Sequence, residues 1–206
     1  MSDTHPLWRP YDPPSDEEVA AARVDGPRLP ELVEVVAPDP TWPDQFEQVR
    51  ATIKGALGER ALHVEHVGST SVPGLWAKPF VDVDVAVADS ADEAAYVPEL
   101  QAAGFVLRVR EPDWEEHRMV RGSDPMSNVH IFSSGSRECG RTLAFRDWLR
   151  KHSDDRDAYA RLKRDLAAQG FTDPMHYNNA KAGLIYDIYE RIFAADPDHP
   201  HTPRPR

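Results

Sequence analysis

Residues 65–87, EHVGSTSVPGLWAKPFVDVDVAV, join a turn of small residues to a strand in which two aspartates point the same way. Side chains alternate between the faces of an extended strand, so Asp82 and Asp84 share one face while the valines at positions 81, 83, 85 and 87 share the other. With a rise of about 3.3 Å per residue, the two carboxylates begin about 6.6 Å apart and can converge on one or two hard cations. The stretch therefore predicts a face that binds metal and phosphate.

The composition is that of a folded protein with an acidic surface. A chain of 206 residues is long enough for one well-buried domain with an added arm. Hydrophobic residues make up 40% and charged residues 29%, which is close to the globular average. The net charge of -11 disfavours a protein that coats duplex nucleic acid, because such a protein needs a broad basic surface.

The single cysteine and the composition of the N-terminal residues indicate the cellular compartment of the protein. Cys139 has no second cysteine to pair with, which excludes an internal disulfide and a thiolate-rich zinc site. The first residues are acidic and proline-rich where a signal peptide would be basic and then apolar, and no apolar stretch reaches the length of a membrane span. We expect a cytoplasmic protein with no membrane partner.

Both ends of the chain are rich in proline. Residues 1–30 predict an arm with one short helix over 15–24, in which Ser15 is the N-cap and Glu18 completes a capping box. Residues 196–206 contain four prolines and two histidines without apolar periodicity, which predicts a disordered tail. The domain itself is expected over residues 31–195.

The pattern between these ends predicts an α+β domain. Thr41, Trp42 and Pro43 open a helix whose apolar stripe runs to Leu57, and Gly58 is a natural stop. Strands are predicted over 61–67, 81–88, 105–110, 119–122 and 129–132, with a helix near 92–103. Three further helices, over 141–152, 154–169 and 178–195, complete the pattern. We expect a mixed β-sheet flanked by helices, with a C-terminal helical subdomain from about residue 141.

The turn and the aspartates together carry a family resemblance. Glycine lets the backbone approach a phosphate closely, and the hydroxyl and amides beside it can hydrogen-bond phosphate oxygens. Gly68-Ser69 followed by Asp82-Val83-Asp84 on the next strand resembles the signature of the DNA polymerase beta-like nucleotidyltransferase superfamily. The stretch HVGSTSVPGLWAKPFVDVDV resembles the signature of the GrpB family within that fold. The likeness covers nearly all of residues 15–195, including VEVVAPDPTWPDQFEQVR, NVHIF, TLAFRDWLRKH and YNNAKAGLIYDIYERI.

The resemblance implies a polymerase beta-like nucleotidyltransferase fold and a set of site residues. Asp82 and Asp84 would hold Mg²⁺ or Mn²⁺, and the turn would bind the phosphates of a nucleotide through Gly68, Ser69, Thr70 and Ser71. In active members of the superfamily, a third acid on a later strand helps to bind metal and activate the acceptor hydroxyl. His130 occupies the corresponding polar face here, which leaves Glu65, Glu115 or Glu116 as substitutes for the third acid.

Three basic residues are further candidates, each with a second interpretation. Lys78 stands at the entrance to the aspartate strand, where it either neutralises phosphate or is an exposed loop lysine. Lys181 shares the apolar side of the last helix, so it either points at the sheet and the reacting phosphate or extends to solvent. Arg146 lies one turn from Arg150, and the two either clamp phosphates or pair with neighbouring aspartates such as Asp147.

Three functions fit these patterns. The first is a metal-dependent nucleotidyltransferase that acts on a nucleoside triphosphate and a small acceptor, with Asp82, Asp84, His130 and Lys181 as catalytic residues. The second is a non-catalytic accessory module that binds a nucleotide, a metal or a protein partner, since GrpB-like domains also occur fused to dephospho-coenzyme A kinase. This second function links the chain to coenzyme A synthesis or protein folding. The third is a small metalloenzyme that binds manganese, iron or zinc through His66, His130 and Asp82.

Overall fold

A five-stranded mixed sheet forms the centre of the computed structural model, which describes residues 4–10, 12–26 and 30–204. The strands are β1 (His63–Val67), β2 (Val81–Val87), β3 (Val106–Glu111), β4 (His117–Ser123) and β5 (Met126–Ser133), in the spatial order β1-β2-β5-β4-β3. β2 and β5 run parallel, and the other neighbouring pairs run antiparallel. The predicted mixed sheet is confirmed, and β4 and β5 are longer than predicted.

Six α-helices flank this sheet: α1 (Asp16–Ala22), α2 (Trp42–Leu57), α3 (Val97–Ala102), α4 (Arg137–Lys151), α5 (Ser153–Ala167) and α6 (Pro174–Ala194). The capping box of Ser15 and Glu18 opens α1, as predicted. α4 and α6 begin four residues earlier than predicted, because the side chains of Ser136 and Asp173 accept hydrogen bonds from their first backbone amides. The predicted helix near 92–103 is shorter and follows a 3-10 turn over Glu93–Ala95.

One face of the sheet is an apolar core and the other is polar. Val83, Val85, Val129 and Ile131 are fully buried on the core face, where they pack with α2 and α3. Burial of each such side chain contributes about 1.5–3 kcal/mol. Because β2 and β5 are parallel and in register, their alternate side chains meet on the opposite face, where Asp82 lies beside Asn128 and Asp84 beside His130.

The helices α4, α5 and α6 form a second apolar cluster beside the polar face. Its buried members include Leu149 and Ile188 together with Val72 and Leu75, which come from the segment between the Gly68 turn and β2. That segment therefore connects the sheet to the helices. No helix in the described part of the chain has the length and apolar character that a membrane span requires.

Segments from both ends of the chain lie against one another. His5 Nε2 is 2.9 Å from Asp196 Oδ2, and the backbone N–H of His5 donates to His201 Nδ1 at 3.3 Å. Residues 4–10 and 196–204 form neither helix nor strand. Residues 1–3, 11 and 27–29 of the predicted arm, and 205–206 of the predicted tail, lie outside the described residues.

Gly68 adopts a backbone conformation that other residues rarely reach. Its φ is 66° and its ψ is -168°, a region populated almost only by glycine. A Cβ atom at this position would also collide with the carboxylate of Asp82. The glycine therefore lets the turn pass directly against the aspartate.

We expect Gly68→Ala to lower the free energy of unfolding by about 1–3 kcal/mol, because it adds both backbone strain and the collision with Asp82. Urea denaturation followed by circular dichroism measures this. The matched control is Gly55→Ala, since Gly55 lies in α2 with open space around its Cα and alanine there favours the helix. Equal effects of the two substitutions would contradict a special role for Gly68.

Candidate functional site

A cavity of about 270 Å³ lies over the polar face of β2 and β5. The Gly68 turn forms one side of it, and α4, α5 and α6 form the other. Of the predicted site residues, its wall contains Gly68, Ser69, Thr70, Lys78, Asp82, Asp84, His130 and Lys181. A second cavity, of about 360 Å³, lies at the opposite end of β2, but its wall is mostly apolar and contains none of these residues.

Asp84 is the more buried of the two aspartates, with 4% of its surface exposed. Thr142 in α4 donates its hydroxyl hydrogen to Asp84 Oδ2 at 2.5 Å. Burial raises the pKa of Asp84 to about 7; the Thr142 hydrogen bond opposes this rise, and the carboxylate of Glu138 adds to it. Burial in the cavity therefore disfavours a full negative charge at Asp84 unless a cation lies beside it.

Asp82 is held by a hydrogen-bonded chain across three strands. Asn128 Nδ2 in β5 donates to Asp82 Oδ1 at 2.9 Å, and Arg121 Nη2 in β4 donates to Asn128 Oδ1 at 2.9 Å. Since arginine can only donate, it fixes which end of the Asn128 amide faces the aspartate. The carboxylate orientation thus depends on the register of β2, β5 and β4.

Lys163 in α5 is the main site residue that sequence reasoning missed. It is 2% exposed, and its ammonium group donates to Ser69 Oγ at 2.8 Å and to the carbonyl of Trp76. Burial, with a smaller contribution from the nearby charge of Lys181, lowers the pKa of Lys163 to about 6. Its spacing from the buried Tyr159, Ala160 and Leu166 is the sequence signal that could have identified it.

Lys181 and Lys78 complete the basic side of the cavity. Lys181 lies on the wall with its Nζ 5.0 Å from the centre of the Tyr177 ring. Burial lowers the pKa of Lys181 to about 8, while the charge of Asp82 opposes this change. Lys78 Nζ is 5.8 Å from the same ring. Three lysines thus face the sheet residues across one cavity.

Glu138 is the one further carboxylate on the cavity wall within the described residues, and none of the three predicted substitutes lines it. Glu138 in α4 lines the cavity, is 6% exposed and has its Oε2 3.2 Å from Arg141 Nε. Glu65 pairs with Arg146 and Glu116 with Arg118, both outside the cavity wall. Glu115 accepts the hydroxyl hydrogen of Ser136 and supports the start of α4. The structure therefore does not bring the three predicted substitutes to the cavity wall with the aspartates.

The structure does not place Ser71 or Arg146 on the cavity wall. Ser71 donates its hydroxyl hydrogen to the carbonyl of Gly68 at 2.6 Å. Arg146 donates to Glu65 Oε2 at 3.0 Å, to the carbonyl of His66 at 3.0 Å and to Asp147 Oδ1 at 2.8 Å. Their contacts stabilise the turn and its approach to α4.

The predicted transition-metal site of His66, His130 and Asp82 is wrong. His66 pairs with Val83 in the β1–β2 register, so its side chain lies on the core face. Its ring stacks on Phe46 with centroids 4.7 Å apart, and its Nε2 is 3.0 Å from Thr70 Oγ1. Burial lowers the pKa of His66 to about 4. Antiparallel register, which sequence alone did not reveal, separates it from Asp82.

Among the described residues, one group of three histidine and acidic side chains does have the spacing of a metal site. Ligand atoms of His5, Asp196 and His199 lie within 4.8 Å of one another. However, His5 Nδ1 accepts the backbone hydrogen of Leu7 at 3.1 Å, so its Nε2 carries the ring proton and donates to Asp196. This group is better described as a hydrogen-bonded contact between the two terminal segments.

Comparisons with known proteins agree with this architecture. The family model described as GrpB protein matches residues 32–191. A UPF0157 protein of Halalkalibacterium halodurans is 51% identical over 156 residues, which span 76% of this chain and 80% of that protein. A UPF0157 protein of Streptomyces coelicolor is 45% identical over 157 residues, 76% of this chain and 82% of that protein.

A solved structure and a longer relative extend the comparison. The crystal structure of conserved protein GrpB from Enterococcus faecalis has a TM-score of 0.67 and 32% identity, and the match covers 77% of this chain and 96% of that one. A dephospho-CoA kinase of Mycolicibacterium paratuberculosis is 32% identical over 187 residues, 78% of this chain but 46% of the kinase. The extent of the family match and the identities of these relatives show that the chain belongs to the GrpB family.

Proposed function

We propose that the protein is a metal-dependent nucleotidyltransferase of the polymerase beta-like superfamily, which binds a nucleoside triphosphate and acts on a small hydroxyl acceptor. The observation that carries this proposal is the placement of charges in one cavity. Asp82 and Asp84 lie on the sheet wall, while Lys163 and Lys181 lie on the helical wall. A cation with bound phosphates presents positive charge to the first wall and negative charge to the second.

The residues on the sheet wall fit Mg²⁺ or Mn²⁺. Carboxylate oxygens are the ligands that these hard cations prefer. Among the described residues, hydrogen bonds engage Oδ1 of Asp82 and Oδ2 of Asp84, which leaves one oxygen of each for a cation. A bound cation would supply positive charge at the phosphate oxygens.

The turn and the lysines would bind and orient the phosphates. Ser69 already accepts a hydrogen bond from Lys163, so a phosphate at the turn would meet a hydroxyl and an amine together. Lys181 would offset charge that develops on the transferred group. Holding the nucleotide against an acceptor in this way lowers the entropic part of the barrier.

The first test is a thermal-shift and calorimetric screen of nucleotides with Mg²⁺ or Mn²⁺, followed by pyrophosphate release across hydroxyl acceptors. At 100 times the dissociation constant, a ligand should stabilise the protein by about 2.7 kcal/mol, which is about 5–10 °C in Tm for a chain of this size. Asp82→Asn should abolish the part of this stabilisation that depends on the metal. Asp165→Asn, a substitution of an exposed acid in α5 that lines neither cavity, is the control. A shift that survives in Asp82→Asn would contradict the proposal.

A second prediction concerns protons taken up on binding. The amine of Lys163 is mostly neutral above pH 6, and a bound phosphate would raise its pKa. Binding at pH 8 should therefore take up a proton, and affinity should fall as pH rises from about 6 towards the ordinary lysine range. Calorimetry in buffers of different ionisation enthalpy measures the uptake.

Variants assign this uptake to one residue. Lys163→Met should reduce the uptake, whereas Lys151→Met, at an exposed position near the end of α4, should leave it unchanged. Uptake that is the same in Lys163→Met as in the unsubstituted protein would show that Lys163 is not the group that gains the proton.

A second candidate function is a non-catalytic accessory module linked to coenzyme A synthesis. The relatives named dephospho-CoA kinase support it, because less than half of the kinase chain matches this protein. The same screen separates the two candidates when dephospho-coenzyme A is included. Tight binding of a nucleotide or of this precursor without pyrophosphate release would favour the accessory module.

A further inference from the structure

Three titratable side chains form a hydrogen-bonded row that ends in the cavity. Glu111 Oε2 is 2.7 Å from His117 Nδ1, and His117 Nε2 is 3.0 Å from His130 Nδ1. Strand pairing produces the row, because Glu111 lies opposite His117 and Met119, two residues further along β4, lies opposite His130. His130 then lines the cavity beside Asp84.

Packing holds the middle member of this row in one orientation. His117 is 2% exposed, and its ring stacks on Phe132 with centroids 4.8 Å apart. The Trp114 ring lies 4.7 Å from it on a tilted plane. A histidine enclosed in this way cannot turn its nitrogens towards other partners, so both hydrogen bonds act together.

The two hydrogen bonds allow one arrangement of protons when both imidazoles are neutral. The carboxylate of Glu111 can only accept, so His117 Nδ1 donates to it. His117 Nε2 then carries a lone pair and accepts from His130 Nδ1. His130 Nε2 is left with a lone pair on the side of the ring away from His117.

We propose that Glu111 and His117 are positioning residues that make His130 the proton acceptor for the attacking hydroxyl group. This inference rests on the proposed nucleotidyl transfer. As the hydroxyl oxygen bonds to the phosphorus of the transferred group, the bond from that phosphorus to pyrophosphate breaks and its electron pair leaves with pyrophosphate. The hydroxyl proton moves to His130 Nε2, and the charge of Glu111 stabilises the resulting cation through His117. His130 thereby serves in place of a third carboxylate.

The experiment is a long-range ¹H–¹⁵N correlation spectrum of histidine-labelled protein at pH 7.5, without metal or nucleotide. His130→Ala identifies the signals. We expect His130 with a protonated Nδ1 and an unprotonated Nε2. Glu111→Gln should increase the opposite tautomer, because the amide of the new side chain can donate to His117 Nδ1. Glu116→Gln is the matched control, since Glu116 belongs to the same hairpin and pairs with Arg118 outside the row.

Kinetics provide the second measurement, in the pyrophosphate-release assay with the nucleotide and acceptor that the unsubstituted protein uses. Glu111→Gln should lower kcat by about 10²- to 10⁴-fold with little change in KM for the nucleotide. Glu116→Gln should change neither. If Glu111→Gln does not fold, the tautomer of His130 in the unsubstituted protein is the measurement that tests the inference.

The outcomes separate this inference from the proposed function. A protonated Nε2 at His130 in a protein that shows Asp82-dependent nucleotide binding would overturn the inference alone. If Glu111→Gln changes neither the tautomer of His130 nor kcat, the inference is again overturned while the proposed function is not. Absence of nucleotide binding or turnover in the unsubstituted protein would overturn the proposed function and the role of His130 with it, whatever the tautomer.

Discussion

Parallel pairing of β2 with β5 is the constraint on which the rest of the structure depends. Because the two strands are in register, their apolar side chains combine into one face and their polar side chains into the other. The free energy of burying the valine face holds the register in place, since a slip of one residue would exchange the two faces. The core therefore sets the backbone positions of Asp82, Asp84 and His130, while hydrogen bonds orient the two carboxylates.

The packing of helices, and not strand register, positions the helical side of the cavity. Its cationic groups come from α5 and α6, which pack through apolar residues shared with the segment between Gly68 and β2. Lysines on those helices reach the cavity only because this packing directs them inwards, where burial makes their positive charge costly. Lys163 and Lys181 thus face Asp82 and Asp84 across the cavity. That arrangement suits a ligand that carries both signs of charge.

Sequence reasoning succeeded where a local pattern determines the outcome. Strand alternation predicted the shared face of Asp82 and Asp84, and the position of His130 followed from the inward-facing Val129 and Ile131. It failed where tertiary packing decides. The face of His66 depends on the antiparallel register with β2. The spacing in α5 indicates that Lys163 is buried, but the docking of α4 and α5 on the sheet, which brings Glu138 and Lys163 to the cavity, is not written in any local pattern. The early starts of α4 and α6 were missed because their caps lie in polar segments without an apolar stripe.

The burial of Lys163 has a consequence for the energetics of the whole protein. A group whose charge is suppressed in the folded state but retained in the unfolded state makes the protein less stable near neutral pH. Apolar residues of similar size would pack there without that cost, so the cavity represents a compromise between stability and readiness to bind. Phosphate binding of the kind proposed would relieve the compromise, and a stability-guided redesign of this chain would remove the amine that such binding would use.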